Sequence, residues 1–572
     1  MCPALLTMAI ALAASVSVAK PRIVSREEWG ARPPKCQYEP IGNITAITIH
    51  HTATSNDYVD AVEVIKSIQK YHMDERGWCD IGYHFLVDRD GNIYEGRPLS
   101  ALGAHVAGHN QGNVGIAVLG DFNEREPNAK EIDALVTLVS WLVEEYRIPL
   151  GNVKGHRDYA ATECPGEHLY EKLENIRRRV GSRVYSFGDG FGAAAWMGVY
   201  SDLWPSDRGL WERKVDEALK ALKDAGFDAV FFLAKDPWGY VYYNSSAFPR
   251  SPKYSWDPLA YVVKKAKEYG LSVHVYVNAL SEGETRPDQL LETHPDWAVR
   301  CEGKAVGWVD PSAEDYVQML VKMVEEIVTK YDVDGVQLDR IRLPSGACEL
   351  PLTAREFEDL YGRRPDPRSE EWRAFVASKV TEIVKAVRNA VKAKKPSAKV
   401  SAAVLPDYLS AYTVYGQDWA EWLKSGTVDF VALMSYTSLS AKLVEYGKRA
   451  VEASGWTRPV YLGIGVYLDS LDPQGVYDQV KAAAGVNGVN GIFAFNVDAL
   501  VRDRGKLEAV AGALREVKAQ PPAERRAQRS PLYSLLTPLG AAAAALALVL
   551  LWRRARNRSR ATAGAAFNDP GL

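Results

Sequence analysis

Gly155-His156-Arg157-Asp158-Tyr159-Ala160-Ala161-Thr162-Glu163-Cys164-Pro165-Gly166 sets a His and a Cys eight residues apart on a loop of small and polar residues. A loop of that kind can fold back before Pro165-Gly166 and bring both donors to one ion. The third donor has to come from far upstream. His50 supplies it, at the end of the β-branched run Ile44-Thr45-Ala46-Ile47-Thr48-Ile49. His50, His156 and Cys164 would form a His2Cys set with a fourth position left to water, the open arrangement of catalytic zinc. One Zn2+ there acidifies water to a pKa of about 7 and polarises a carbonyl, which are the needs of amide hydrolysis. The plainer alternatives are a His pair that closes a strand at His50-His51 and a Cys164 that is half of a disulfide.

Outward from this loop lie His50-His51-Thr52, Tyr71-His72-Met73, Asp80-Ile81-Gly82-Tyr83-His84-Phe85 and Gly103-Ala104-His105, with Arg26-Glu27-Glu28-Trp29-Gly30 and Asp90-Gly91-Asn92-Ile93-Tyr94. From about Arg22 to Val180 the series resembles the peptidoglycan-recognition proteins and type 2 N-acetylmuramoyl-L-alanine amidases. The resemblance implies zinc on His50, His156 and Cys164. It also implies a catalytic Tyr83, whose phenol can hydrogen-bond the oxyanion. Thr162 takes the other catalytic position, where bacteriophage members carry Lys and amidase-active recognition proteins commonly have Thr. The likeness further implies substrate-binding roles for His72, Arg76 and His105. Gly77-Trp78 matches a dipeptide associated with diaminopimelate stems, whose extra carboxylate suits a guanidinium partner. Members without the Cys ligand bind muropeptides and do not cleave them, so Cys164 favours an enzyme over a receptor.

A chain of 572 residues, 47% hydrophobic and 25% charged, can core two or three domains, and its formal charge of −3 leaves no electrostatic footprint for nucleic acid. Residues 1–19 are apolar and close on Ser17-Val18-Ala19, the pattern of a signal peptide cut before Lys20. Export allows disulfides to persist. With Cys2 removed and Cys164 assigned to zinc, Cys36, Cys79, Cys301 and Cys348 remain, and four cysteines allow three pairings. Cys36 and Cys79 stand where some recognition proteins are bridged, and Cys301 and Cys348 share the next domain. Pairing within domains is therefore expected.

Strand candidates at 44–50, 83–88 and 114–119, with helices near 58–72, 129–146 and 167–180, predict a mixed α/β domain with a small central sheet. A Gly-rich linker follows at 181–192. Eight apolar strand candidates then alternate with helices: 194–200, 228–234, 271–278, 334–339, 400–405, 428–435, 459–466 and 491–496. That alternation predicts a (β/α)8 TIM-like barrel over 193–518, with its site at the carboxyl ends of the strands. The fourth strand ends Asp334-Gly335-Val336-Gln337-Leu338-Asp339. With His294-Pro295-Asp296-Trp297 and Gly307-Trp308-Val309-Asp310-Pro311 it resembles the glycosyl-hydrolase-like family 10 barrels. Glycoside hydrolysis generally needs two carboxyl groups. Asp339 is one candidate, Asp407 its partner, and Asp236 a further choice; each also reads as an ordinary turn or ion-pair residue. Trp238, Tyr240, Tyr242, Trp256 and Trp308 could stack on sugars.

A polar linker at 519–531 precedes Leu532–Trp552, 21 residues without a charge and long enough for one transmembrane helix. An Arg-rich tail at 553–572 would stay cytoplasmic. The chain is thus expected to be a single-pass type I cell-surface hydrolase that holds one Zn2+ and acts on peptidoglycan or muropeptides, with domain limits 1–19, 20–180, 181–192, 193–518, 519–531, 532–552 and 553–572. The rival readings are a muropeptide-binding receptor, an amidase for another wall polymer, and a barrel that binds glycan without turnover.

Overall fold

The computed structural model describes residues 18–185, 190–346 and 348–519. Most of the expected signal segment, part of the 181–192 linker, and the expected membrane helix and tail lie outside the described residues. No helix among the described residues is long and apolar enough to cross a membrane.

Residues up to Tyr185 build a five-stranded sheet with two helices on one face. Its strands are β1 (Ala46–His51), β2 (Phe85–Val87), β3 (Ile93–Glu95), β4 (Asn113–Val118) and β5 (Val153–Gly155), in the order β3-β2-β4-β1-β5. Strand β1 runs parallel to both β4 and β5. Side chains alternate across a strand, so Ile47 and Ile49 enter the core while Thr48 and His50 take the opposite face. That core is closed by helices α2 (Ala129–Tyr146) and α3 (Glu167–Tyr185), through Leu135, Leu138, Leu142, Leu169 and Ile176. Helix α2 starts in a capping box between Asn128 and Glu131, which satisfies two otherwise orphan N–H groups. Helix α1 (Ala61–Lys70) packs Ile65 and Ile68 with Trp29 and Leu86 in a separate cluster.

The second domain contributes β6 (Gly192–Met197), β7 (Ala229–Lys235), β8 (Ser272–Asn278), β9 (Ser281–Glu284), β10 (Ala298–Cys301), β11 (Lys304–Val309), β12 (Gly335–Asp339), β13 (Cys348–Glu349), β14 (Lys399–Val404), β15 (Phe430–Leu433), β16 (Val460–Ile464) and β17 (Val489–Phe495). Eight of them close a parallel barrel, β12-β14-β15-β16-β17-β6-β7-β8. Its interior is packed with rings: Phe231 stacks on His274 at 4.4 Å and meets Phe493 at 4.7 Å. Above this layer Trp196 Nε1 donates to Gln337 Oε1 at 2.6 Å. The other four strands form an antiparallel sheet, β13-β10-β11-β9, inserted around β12.

Both disulfides are internal to a domain, Cys36–Cys79 and Cys301–Cys348. The carboxyl end of α3 sits on the floor of the barrel, where strands begin. Lys399 Nζ donates to the Val184 carbonyl at 2.6 Å, the Arg458 guanidinium lies 4.1 Å over the Tyr185 ring, and Arg178 reaches Asn487.

Candidate metal centre and barrel rim

His50 lies at the carboxyl end of β1, next to the strand that delivers His156. Ile49 pairs with Gly155, the last residue of β5, and the chain then turns into a short 3-10 helix at His156–Asp158. Asp158 Oδ2 accepts the Gly155 N–H at 2.9 Å and so braces that turn. The loop returns because Arg157 N donates to the Cys164 carbonyl at 3.0 Å and Cys164 N donates to Thr162 Oγ1 at 3.2 Å. His51 points the other way, its Nδ1 accepting the Phe122 N–H at 3.3 Å. Only one of the two adjacent histidines therefore faces the site.

Donor atoms of His50, His156 and Cys164 all lie within 4.8 Å of one another. His50 Nδ1 is 3.5 Å from Cys164 Sγ. Tetrahedral zinc, with nitrogen at ~2.05 Å and sulfur at ~2.3 Å, would hold such a pair ~3.6 Å apart, so the donor set fits that ion. Burial, then the neighbouring His105 and His156, hold the His50 pKa well below its ordinary value. Burial also lowers His156 and pushes the Cys164 thiol up to about 12. Both imidazoles are thus neutral and ready to ligate, while the thiol gives up its proton only to a cation.

The Tyr83 ring lies 5.2 Å from the His50 ring and 5.7 Å from that of His72. Burial raises the phenol pKa, which keeps its proton on and makes it a donor. His72 packs on Trp78 at 4.6 Å, its Nδ1 accepts the Gly82 N–H at 3.2 Å, and the exposed Arg76 guanidinium lies 5.4 Å over the Trp78 ring. Gly77 adopts φ 69° between them and leaves the backbone open. Trp78 is half-buried, so it is not simply core.

Two further expected residues adjoin the ligands. His105 is as buried as His72, each 7% exposed, and lies behind His50 with both ring nitrogens engaged inside the domain. Thr162 accepts the Cys164 N–H, which shapes that turn and leaves its O–H as a donor.

On the barrel, Asp339 closes β12 at the carboxyl rim, and its Oδ1 accepts the Arg340 N–H at 2.7 Å. Burial raises its pKa against the opposing pull of Arg340 and Arg342. Trp308, on the inserted sheet, lies under both guanidinium groups at 5.6 and 5.2 Å. Asp407, the expected partner, has a local structural role. It is the N-cap of the helix Tyr408–Tyr415, its Oδ1 accepting the Ser410 N–H at 2.9 Å, and its side chain, 43% exposed, faces Arg449. The Ser410 N–H is also the main reason its pKa is lowered. Asp236 is committed to a turn, accepting from Trp238 N, Tyr240 N and the Tyr242 hydroxyl. Tyr242 and Trp308 are buried, whereas Trp238 is exposed at the rim. Sequence reading missed Asp498, which follows β17. Its carboxylate accepts from the Ser201 hydroxyl and from Trp204 Nε1, the latter at 2.9 Å.

A mixed α/β domain with a His2Cys donor cluster is thus joined to a (β/α)8 barrel with a half-buried rim carboxyl. The family described as N-acetylmuramoyl-L-alanine amidase matches residues 40–167, and the one described as glycosyl hydrolase-like 10 matches residues 195–473. Peptidoglycan-recognition protein SC2 of Drosophila simulans is 38% identical over 154 residues, 26% of this chain and 84% of that protein. Peptidoglycan recognition protein 1 of Bos indicus is 38% identical over 156 residues, 27% of this chain and 82% of that one. Among solved structures, the N-acetylmuramoyl-L-alanine amidase LysC from Clostridium intestinale is 33% identical, covering 27% of this chain and 97% of that chain with a TM-score of 0.24. Through its first domain the chain belongs to the peptidoglycan-recognition and N-acetylmuramoyl-L-alanine amidase family, and its second is a glycosyl-hydrolase-like 10 domain.

Proposed function

We propose that the first domain is a zinc-dependent amidase that cleaves the bond between N-acetylmuramic acid and L-alanine in peptidoglycan. The observation that carries this reading is the convergence of His50, His156 and Cys164 beside the half-buried phenol of Tyr83. Zinc, when bound by these three side chains, supplies a Lewis acid and acidified water. Tyr83 holds its proton and donates a hydrogen bond where negative charge develops on the carbonyl oxygen. Arg76, beside the open backbone of Gly77 and the face of Trp78, offers a guanidinium to the extra carboxylate of a diaminopimelate stem. The experiment is digestion of purified peptidoglycan by the full chain, with and without chelator. Release of free L-alanine amino termini that stops on chelation and returns with Zn2+ supports the reading. Unaltered release after complete metal removal would sink it. A receptor without turnover is the second reading. Stoichiometric zinc together with release of amino termini separates the two.

For the barrel, the reading is a glycan-directed hydrolase in which Asp339 acts as the acid, its raised pKa suiting that role. New reducing ends from peptidoglycan or peptide-free glycan strands would support turnover. Saturable glycan binding without reducing ends would leave a binding platform. The apolar leader, the uncharged 532–552 stretch and the two disulfides support a type I cell-surface protein with both domains outside.

A further inference from the structure

Behind the candidate metal ligands stands a file of imidazoles whose hydrogen bonds are determined by the backbone. His105 Nε2 lies 3.0 Å from the Asn113 carbonyl oxygen, an acceptor only, so that nitrogen must carry the hydrogen. His105 Nδ1 lies 3.1 Å from His50 Nε2. No carboxylate is hydrogen-bonded to the ring among the described residues, and a neutral ring with its hydrogen on Nε2 has a bare lone pair on Nδ1. That lone pair must accept, which places the hydrogen of His50 on Nε2. His50 Nδ1 is then unprotonated, and it is the nitrogen that faces Cys164 Sγ. The opposite tautomer of His105 would press a nitrogen lone pair against the Asn113 carbonyl, and it would leave the Nδ1–H of His50 facing the thiol.

The His105 ring has little freedom to leave this arrangement. A Cβ built on Gly103 would meet its Cδ2 at 2.5 Å, and one on Gly115 would meet Cδ2 and Cγ at 2.6 Å. The ring therefore occupies a slot that only glycine leaves open on both sides. The slot is itself anchored by His84, whose Nδ1 accepts the Gly115 N–H at 3.0 Å and whose Nε2 faces the Ala101 carbonyl at 2.9 Å.

We propose that His105 is a positioning residue of the metal centre, which holds His50 in the tautomer that presents Nδ1 to the ion, and is not a contact for muropeptide. This rests on the zinc reading of His50, His156 and Cys164 and assigns to it an orienting partner, the kind of contact whose loss costs about 10–100-fold in metal affinity.

Zinc affinity of the full chain, measured by competition with a calibrated chelator, tests it alongside muropeptide affinity of the zinc-saturated protein. His105→Phe keeps a ring in the slot and removes the acceptor, so zinc should bind about 10–100-fold more weakly. His105→Asn, which keeps an acceptor near the Nδ1 position, should recover most of that loss. Gly115→Ala removes no polar group but displaces the ring, and should weaken zinc in the same direction. Near-UV circular dichroism reports whether each variant is folded, and the Asn variant decides the matter if the Phe variant is not. Muropeptide affinity should stay within about twofold across the folded variants. Unchanged zinc affinity in a folded His105→Phe or Gly115→Ala protein, or no recovery in a folded His105→Asn protein, would overturn the proposal, as would a loss of muropeptide affinity alone. A wild-type chain that takes up no zinc would instead overturn the zinc reading beneath it. Zinc that depends on His105 without amide turnover would leave the positioning role intact and remove the amidase.

Discussion

Replacing Tyr83 by Phe removes one O–H and leaves the ring where it packs, 5.2 Å from His50 and 5.7 Å from His72. Among the described residues no group is hydrogen-bonded to the phenol oxygen, so the change strands no buried partner. Its cost to folding should stay under about 1 kcal/mol. The ring donates no metal ligand, so zinc content should remain at one ion per chain. What is lost is a donor to the developing oxyanion, and removal of one such donor costs about 10²–10³ in kcat, or ~2.7–4 kcal/mol. Because burial raises the phenol pKa, the hydroxyl stays protonated across the neutral range, and the ratio of wild-type to variant kcat should be flat with pH there. The assay is kcat and KM on a defined muropeptide, with metal content and thermal unfolding measured on the same preparations. A Phe variant that turns over within about threefold of wild type, or that loses its zinc, would refute the assignment of Tyr83 as the oxyanion donor.

Zinc uptake near pH 7 should release one proton from Cys164, whose thiol burial has pushed up to about 12, a further fraction from the acidified water, and none from His50 or His156, whose pKa values are lowered. Affinity should accordingly rise at least about tenfold per pH unit from pH 7 to 9, more steeply as the bound water ionises; calorimetry in buffers of differing ionisation enthalpy would count the protons, and none would contradict the picture. Asp339→Asn should abolish any new reducing ends, whereas Asp407→Ala should keep them and lower stability by about 1 kcal/mol through loss of a helix cap. Reducing ends that vanish only in the Asp407 variant would reverse the two roles. Protease added to intact cells should degrade both domains and spare a short fragment containing 532–552; survival of the amidase domain would reverse the orientation.

The barrel was legible because strands of a parallel sheet are covered on both faces and read as apolar runs. Runs such as Ala229–Lys235 and Val489–Phe495 stand out from the amphipathic helices between them. Strand β5 was not legible: three residues carry no periodicity, and only pairing with Ile47–Ile49 makes them a strand. The inserted sheet escaped for a similar reason, since β9, β10 and β13 are short and polar and their register is set across the chain, Cys301 opposite Cys348. At the metal centre the spacing of His156 and Cys164 was enough to bring the ligands together. The place of His105 was not, because which nitrogen meets which partner depends on Asn113 and two glycines. The capping role of Asp407 was hidden because its helix, Tyr408–Tyr415, is mostly aromatic and β-branched and does not announce itself as one.

The seating of α3 on the floor of the barrel leaves the opposite end, where Asp339 lies, clear of that helix. Asp339 lies at the carboxyl end of β12, while Lys399, Arg458 and Asn487 meet the amidase helix where β14, β16 and β17 begin. The height of the strand wall, ~20 Å for six residues at ~3.3 Å each, therefore separates the barrel mouth from the floor that α3 occupies.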